Sequence, residues 1–298
     1  MKFIKTFVAT MTILLLSSSC VSNRKIAAMK KTLEEKKQVE KNLENKIATL
    51  DDFRTNKSAI GELDDKSNTS IQNVLNNEKK GVQQRTDSLN KMNAMLSGKK
   101  RVKIKDFKNI VSVITIANEV TTQKSESINF VDQLLKQQTF VKFNSAAFFQ
   151  AGGYKIPVEK MEEAKIVFSP IVDSLIVFIK KFPKYKLNSS IIASGYADGT
   201  GFGAGELVDQ LTANIGKEVA TKEELNSELS RLRAEEVSSI LLEIYKEKTK
   251  DVPQKSQFNT QFFKMGKGEE YPNKKIDNYQ TDDERRRIVV IYWNALPE

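Results

Sequence analysis

The amino-acid sequence predicts an α+β protein in which a long helical region precedes a small mixed sheet of the βαβαβ type. Between Val21 and Gln138 the chain has no proline and is rich in Lys, Glu, Asn and Gln, which favours helix over sheet. After Thr139, β-branched and aromatic runs alternate with amphipathic stretches, as expected for an α/β sandwich. We therefore expect three parts, at residues 1–19, 20–138 and 139–298.

The helical region carries an interrupted hydrophobic seam. Apolar residues in its first part alternate at three- and four-residue spacing: Ile26, Met29, Leu33, Leu43, Ile47 and Leu50. Lys36 and Glu40 interrupt this seam, so the pattern predicts an imperfect coiled coil. The segment 107–120 is more β-branched and fits either a third helix or a strand. We expect a spacer whose helices pack on each other or on a second copy; a helix that binds a dedicated partner is the alternative.

The material for a dense core lies in the second half of the chain. Five of the sixteen phenylalanines precede residue 140, and the single tryptophan is Trp293. Periodicity predicts helices over 158–183 and 224–248. It predicts strands over 140–149, 188–198 and 285–293, with an edge-like strand and a glycine turn in 259–272.

Composition excludes most kinds of catalytic site. The chain has no histidine and a single cysteine, Cys20. Without imidazole, Ser-His-Asp triads, Cys-His dyads and histidine-based metal sites cannot form. One cysteine provides neither an internal disulfide nor a cysteine-rich zinc site. What remains is carboxylate chemistry or binding, and of these we expect a binding protein with no enzymatic activity, cofactor or metal.

The formal net charge of +10 suggests an acidic partner, such as nucleic acid, an anionic lipid surface or an acidic polymer. However, Lys and Arg are scattered among Asp and Glu. No basic stripe interleaved with aromatic residues is present, so we expect no nucleic-acid binding.

Residues 1–19 have the pattern of an export signal. Lys2 and Lys5 precede an apolar run, Phe7 to Leu16, that is too short to span a bilayer. The following LLLSSSC resembles a bacterial lipobox, in which the cysteine becomes the lipidated first residue of the mature protein. Ser17 departs from the leucine that is usual there. We expect Cys20 to be lipidated; a chance cysteine near an ordinary cleavage site is the alternative.

The stretch GYADGTGFGAG at 195–205 suggests two kinds of site. Gly199, Gly201 and Ala204 fit the G-x-G-x-x-G/A pattern of a dinucleotide-binding turn. That fingerprint also requires an acidic residue at the end of the next strand, whereas the region near Glu218 is predicted as helix or loop. We therefore expect Asp198, rather than the glycines, to be the functional residue.

Four blocks in the second half carry a family resemblance: GYAD at 195–198, LNSELSRLRA at 225–234, GKGE at 266–269 and RRIV at 286–289. In this order, behind a lipobox, they resemble the C-terminal peptidoglycan-binding domain of the outer-membrane protein A (OmpA) family, shared with peptidoglycan-associated lipoproteins. The family patterns are G-H-T-D, L-N-x-x-L-S-x-x-R-A, G-x-G-E and R-R-V. The resemblance covers most of 139–298 and implies an OmpA-like βαβαβ-type sandwich.

The resemblance also implies a ligand: the diaminopimelate of the peptidoglycan stem peptide, whose free end offers an ammonium and a carboxylate. The family's aspartate at the position of Asp198 accepts a hydrogen bond from the ammonium. Its arginine at the position of Arg233 donates two parallel hydrogen bonds to the carboxylate. Asn226, seven residues before Arg233 and on the same helix face, would add a neutral hydrogen bond. Tyr196, Arg286 and Arg287 are further candidate contacts.

Each candidate also has a structural interpretation. Asp198 is then a turn or capping residue, Arg233 a solvated helix charge, and Arg286 and Arg287 edge-strand charges. The sequence departs from the family at Tyr196-Ala197, in place of His-Thr, and at Arg285, in place of a frequent Asn. It also has extra residues at about 202–224, which we expect to be a neutral insertion; a lid or a partner-binding excursion is the alternative.

Taken together, these patterns predict an outer-membrane lipoprotein that faces the periplasm. We expect it to bind peptidoglycan non-covalently and to tether the outer membrane to the cell wall. Its helices would span the gap, with self-association or envelope proteins as further partners. The alternative is an envelope scaffold or assembly protein whose helical region and insertion bind protein partners, with little affinity for peptidoglycan.

Overall fold

The computed structural model describes residues 21–97, 102–137, 139–144, 148–149, 153–183, 185–252 and 259–297. The α-helices are α1 (Asn23–Ala59), α2 (Asp65–Leu96), α3 (Ile104–Lys136), α4 (Val158–Lys180), α5 (Glu206–Ile215) and α6 (Lys222–Thr249). The strands are β1 (Phe140–Asn144), β2 (Leu187–Gly195), β3 (Asn259–Gly266) and β4 (Ile288–Pro297). The predicted α+β class is therefore confirmed.

The segment 107–120, for which the sequence left helix and strand open, lies in α3. The predicted signal segment 1–19 and the predicted lipidation site, Cys20, lie outside the described residues. Over the described ranges, no helix combines the length and the apolar character that a membrane crossing requires.

The chain divides into two compact units. The first comprises the described residues up to Asp51 and those from Asn73 to Phe130. The second comprises Asp52–Gln72 and the described residues from Val131 onwards. Residues 52–72, which the composition predicts as part of the helical spacer, cluster with the sheet.

The first unit is built from parts of α1, α2 and α3 that bury the predicted seam. Its core combines residues of all three helices with two residues that lie just before α1 and α3, Val21 and Val102. The helical members are Ile26, Met29, Leu33, Leu89, Leu96, Phe107, Ile110 and Ile114. Because residues three and four apart share a helix face, the alternating spacing places one face of each helix in this core.

A buried polar layer lies where Glu40 interrupts the seam. Arg85 Nε donates to Glu40 Oε1 at 2.9 Å, and Thr121 Oγ1 donates to the same oxygen at 2.6 Å. Nearby, Lys124 Nζ donates to Glu78 Oε1 at 2.9 Å. The Glu40 side chain is only 3% exposed. The residue that breaks the coiled-coil pattern is thus paired across helices rather than solvated.

The second unit contains a four-stranded mixed sheet in the order β1-β4-β2-β3. β4 pairs antiparallel with both β1 and β2, and β2 pairs parallel with β3. β4 is therefore an interior strand and β3 an edge strand. The expected final strand begins at Ile288, because Arg285 and Arg286 belong to a short 3-10 helix at Glu284–Arg286.

Helices α4 and α6 cover one face of the sheet. On this face the Trp293 ring lies 5.4 Å from that of Phe178 in α4, and the Phe143 ring lies 4.8 Å from that of Phe168. These aromatic contacts account for the concentration of phenylalanine and tryptophan in the second half of the sequence.

Residues 52–72 contact the opposite face of the sheet. Tyr292 Oη donates to the carbonyl of Gly61 at 3.1 Å, and Lys66 Nζ lies 3.2 Å from the centre of the Phe263 ring. Asn294 donates to the hydroxyl of Ser67. Every residue from Ser189 to Gly195 is buried. β2 is therefore covered on both faces, as its unbroken apolar and small-residue run requires.

The polar layer makes a testable contribution to stability. Glu40→Ala removes the partner of Arg85, whose side chain is 11% exposed. Breaking one partner of a buried ion pair costs about 3–5 kcal/mol, because the other charge stays buried without a counter-ion. We expect a large fall in the urea midpoint of the first unit.

Glu35→Ala is the matched control on the same helix. Glu35 and Lys31 form a pair whose side chains are 62% and 81% exposed, so its loss is expected to cost under about 1 kcal/mol. Equal midpoints for the two variants would contradict a stabilising role for the buried layer.

Candidate functional site

The turn that carries Asp198 is held in place by its backbone. Tyr196 N donates to the carbonyl of Ile288 at 2.9 Å, and Ala197 N donates to that of Gly268 at 2.7 Å. Gly199 N donates to the carbonyl of Thr281 at 2.6 Å. The segment after β2 is thus fixed against the connection between β3 and β4, which contains the GKGE block and ends at the paired arginines.

Helix α6 approaches the ends of β2 and β3 very closely. A Cβ on Gly195 would lie 2.0 Å from the carbonyl oxygen of Ser230, and one on Gly266 would lie 2.4 Å from that of Ser227. The Ser230 hydroxyl accepts from Gly268 N at 3.0 Å. Only glycine allows this approach, which brings α6 beside the turn that carries Asp198.

The start of α6 is defined by a reciprocal cap. Thr221 Oγ1 accepts from Glu224 N at 3.3 Å, and Glu224 Oε2 accepts from Thr221 N at 3.0 Å. The extra segment, 202–224, contains α5 and packs on this end of α6 through a cluster centred on Leu211, Leu225 and Leu229. The insertion therefore lies against the helix that carries Asn226 and Arg233. That it has no functional role of its own stays a prediction.

Asp198 is a buried carboxylate with two partners. It is 7% exposed. Its Oδ1 accepts from Thr200 N at 3.1 Å, and its Oδ2 forms an ion pair with Arg287 Nε. Arg287 also donates to the carbonyl of Asp282 at 3.1 Å. Arg287 therefore orients Asp198, and the turn interpretation of Asp198 is compatible with a ligand on its remaining lone pairs.

Arg233 is a desolvated guanidinium. It is 8% exposed, its Nε donates to the carbonyl of Gly153 at 3.0 Å, and its Cζ lies 5.6 Å from the centre of the Phe149 ring. Burial lowers the pKa of Arg233 to about 10; the charge of Asp198 opposes this shift and that of Arg287 adds to it. At neutral pH the group remains a cation.

Arg233 uses little of its hydrogen-bonding capacity within the described part of the chain. Over the described residues, Nε makes the only hydrogen bond of the guanidinium. An arginine fork whose Nη groups have no acceptor among the described residues is suited to bind a planar anion such as a carboxylate.

Asn226 belongs to a polar network at the start of α6. Its Nδ2 donates to Glu269 Oε1 at 2.8 Å, and Lys222 Nζ lies 3.3 Å from the same oxygen. Lys222 also donates to the carbonyl of Gly199 at 3.2 Å, which connects the network to the turn after Asp198.

Arg286 and Tyr196 have other surroundings. The Arg286 Nη groups donate to the carbonyl oxygens of Glu269 at 2.6 Å and Gln280 at 3.3 Å, so this buried residue holds the β3–β4 connection together. Tyr196 is buried in a cluster with Ile192, Ile288, Val290 and Tyr292. Burial raises the pKa of Tyr196. Tyr196 therefore packs in the core, and Arg286 stabilises the β3–β4 connection. That either residue also contacts a ligand stays a prediction.

The structure therefore places Asp198, Arg233 and Arg287 within electrostatic reach of one another, with Asn226 on the adjacent turns of α6. Sequence reasoning missed the roles of Glu269 and Lys222, although Glu269 stands in the GKGE block. Phe149, which lies against Arg233, gave no signal in the sequence. Within the described part of the chain, no group of three or more metal-ligating side chains comes together.

Comparison with known proteins gives no relative from which a role can be transferred: no protein-family model matches the chain, and no curated protein is significantly similar to it. The function is therefore argued from the site.

The close approach of α6 provides a test of how the site is built. Gly195→Ala forces a Cβ against the Ser230 carbonyl, a backbone atom that cannot move alone. Overpacking of this kind costs about 1–3 kcal/mol. We expect a lower melting temperature and a displaced Arg233. Gly201→Ala is the control, since a Cβ there has nothing within 4 Å; equal melting temperatures would contradict the close packing.

Proposed function

We propose that the protein is an outer-membrane lipoprotein that binds peptidoglycan non-covalently through an OmpA-like domain at 139–298. In this proposal Asp198 and Arg233 recognise diaminopimelate. The lipid on Cys20 holds the protein in the outer membrane, facing the periplasm, and the helical region spans part of the distance to the cell wall. The protein thereby tethers the membrane to the wall.

The observation that carries the proposal is the state of Arg233. A guanidinium that is 8% exposed has lost most of its hydration, and its only hydrogen bond over the described residues is the one to Gly153. The same burial lowers the pKa of Arg233 to about 10. A bound carboxylate would supply two charge-assisted hydrogen bonds in a site already arranged for it.

Asp198 supplies the opposite charge. Its pairing with Arg287 keeps the carboxylate oriented, and carboxylate oxygens accept more than one hydrogen bond each. The ammonium of a zwitterionic amino acid can therefore bind at Asp198 while its carboxylate binds at Arg233. A ligand with only one of the two charges would leave one of these groups without its partner.

The overall charge of the site favours a ligand with anionic character. Four cationic side chains, Lys222, Arg233, Arg286 and Arg287, accompany two carboxylates, Asp198 and Glu269, which gives an excess of two positive charges. The stem peptide contributes carboxylates in addition to the diaminopimelate ammonium, so its charge complements this excess.

Substitution of Arg233 and Asp198, the two residues proposed to bind the ligand, tests the proposal. Arg233→Ala and Asp198→Ala each remove one partner of a charged pair with the ligand, a loss of about 2–5 kcal/mol of binding free energy. We expect purified sacculi to retain neither variant, while circular dichroism shows that both remain folded. Arg233→Lys should recover binding only in part, since an ammonium cannot form the two-pronged contact.

Arg231→Ala is the matched control for Arg233→Ala. Arg231 lies on the same helix, has a side chain that is 38% exposed, and pairs with Glu235 and with the more buried Glu228. Retention of Arg231→Ala with loss of Arg233→Ala supports the proposal. Undiminished retention of the Arg233 and Asp198 variants would instead favour the scaffold alternative.

The ligand group is tested by amidation. Isothermal titration with free diaminopimelate should give measurable heat, and the form whose carboxylate is amidated should give little. The amide carries no charge and offers only one acceptor oxygen to the Arg233 fork. Equal affinity for the two forms would contradict carboxylate recognition by Arg233.

A further inference from the structure

Helix α4 presents a regular row of exposed residues to solvent. The row follows an alternating four- and three-residue spacing, which places its members on one side of the helix. The buried residues of α4, such as Phe168 and Leu175, lie on the other side, against the sheet. We call this row the outer face of α4; its members, all of them exposed, are Glu159, Glu163, Ile166, Pro170, Asp173, Val177 and Lys180.

The middle of the outer face is mainly apolar. Ile166 is 72% exposed and Val177 is 54% exposed, with Pro170 between them. Val167, next to Ile166, is 39% exposed. These residues lie within about three helical turns of one another, so they form one short apolar strip, which only Asp173 interrupts. Clustered apolar side chains on an otherwise charged surface are typical of a contact that another molecule covers.

The two ends of the outer face carry opposite charges. Glu159 and Glu163 lie in its first turns, and Lys180 ends it. Over the described residues, neither Glu163 nor Lys180 has an ion-pair partner. The helix dipole favours acidic residues at the start and basic residues at the end of any helix. It does not account for charges that continue the line of the apolar residues.

The outer face is complementary to itself. Two α4 helices can lie antiparallel with a two-fold axis at the middle of this face. Glu163 then faces the partner's Lys180, and Ile166 faces the partner's Val177. The match follows from the spacing, since Glu163 precedes Ile166 by three residues and Lys180 follows Val177 by three. Two-fold symmetry repeats each contact, so two ion pairs flank a doubled apolar centre.

The acidic residue nearest the two-fold axis already has a counter-ion. Lys248 Nζ lies 2.8 Å from Asp173 Oδ1. In the antiparallel arrangement Asp173 faces the partner's Pro170, which carries no charge. Pairing of the two helices therefore brings no uncompensated like charges together at the centre.

Other occupants match the charges of the outer face less well. A second copy in parallel orientation would place acidic ends together and basic ends together, which is unfavourable. An anionic lipid surface would be repelled by Glu159 and Glu163. A partner of a single charge sign would suit only one end of the face. The antiparallel second copy has the required order of acidic, apolar and basic groups.

We propose that the outer face of α4 is a homodimer interface, in which two chains pair through antiparallel α4 helices. The apolar strips pack on each other, and Glu163 pairs with the partner's Lys180 at both ends. The contact between these ends is about 26 Å long, from the rise per residue of a helix. One helix per chain gives a smaller contact than a standard protein interface, so the dimer is reversible. The pairing is independent of the ligand proposed to bind at Asp198 and Arg233.

Sedimentation velocity of the full chain, purified in detergent, tests this pairing. We expect a monomer–dimer equilibrium that shifts with protein concentration. Glu163→Lys turns both end pairs into like-charge contacts and should weaken dimerisation about tenfold or more. Ile166→Ser removes an apolar contact on each side of the axis and should weaken it as well. Both residues are exposed, so circular dichroism should show unchanged helicity.

Exchange of the two end charges identifies the pairing directly. Glu163→Lys combined with Lys180→Glu restores opposite charges at both ends, so the double variant should dimerise again, whereas each single variant should not. A role of either residue within one chain would not produce this recovery. Glu247→Lys is the matched control, because it makes the same charge change at an exposed position of α6. It should leave the equilibrium unchanged.

Several outcomes overturn the proposal. The unsubstituted chain may not stay monomeric at every concentration, and Glu247→Lys may not weaken the dimer as much as Glu163→Lys does. A double variant that keeps its helicity without recovering dimerisation overturns the proposal too. So does a dimer that Glu163→Lys and Ile166→Ser leave unchanged, because the chains are then joined through another surface.

Discussion

The contact on which the candidate site depends is that of α6 with the ends of β2 and β3. Gly195 and Gly266 leave no side chain between the strands and the helix backbone, and Ser230 joins the helix to the following turn. This contact places Arg233 and Asn226 beside the turn that carries Asp198. Residues far apart in sequence thereby come together without a loop having to close over them.

Both units hold an arginine that is buried with only part of its hydrogen-bonding capacity used. Arg85 lies in the polar layer of the helices, and Arg233 lies beside the sheet. Burying a cation in this way is unfavourable unless an acceptor compensates for the lost water. Glu40 supplies a carboxylate acceptor for Arg85, whereas Arg233 has one backbone acceptor over the described residues.

Much of the fold followed from local patterns. Proline-free, charged sequence predicted a helical region, with 107–120 left open between helix and strand, and β-branched runs predicted the strands. Both signals depend on neighbours a few residues apart. Burial of Glu40 was not predictable, since its partner Arg85 lies on another helix. Coverage of the sheet by residues 52–72 was missed for the same reason: the contact of Gly61 with Tyr292 joins residues that no local pattern relates.

Motif letters singled out Asp198, Arg233, Asn226 and Arg287 as candidates, and their binding of a ligand stays a prediction. The seven-residue spacing correctly placed Asn226 and Arg233 on one helix, α6. The surroundings of Tyr196 and Arg286 depend on the direction in which each side chain points from its turn. The motif contains no information about that direction. Glu269 and Lys222 acquire their positions only when the β3–β4 connection meets the start of α6.

We propose that Arg233 and Asp198 bind the two charges of one zwitterionic ligand. An NMR titration of the chain with free diaminopimelate, following the side-chain N–H resonances of arginine, tests this directly. We expect shifts of the Arg233 Nη and Nε signals together with the backbone amides around Asp198, at one common affinity. Shifts confined to other arginines, or none at Asp198 when Arg233 responds, would contradict it.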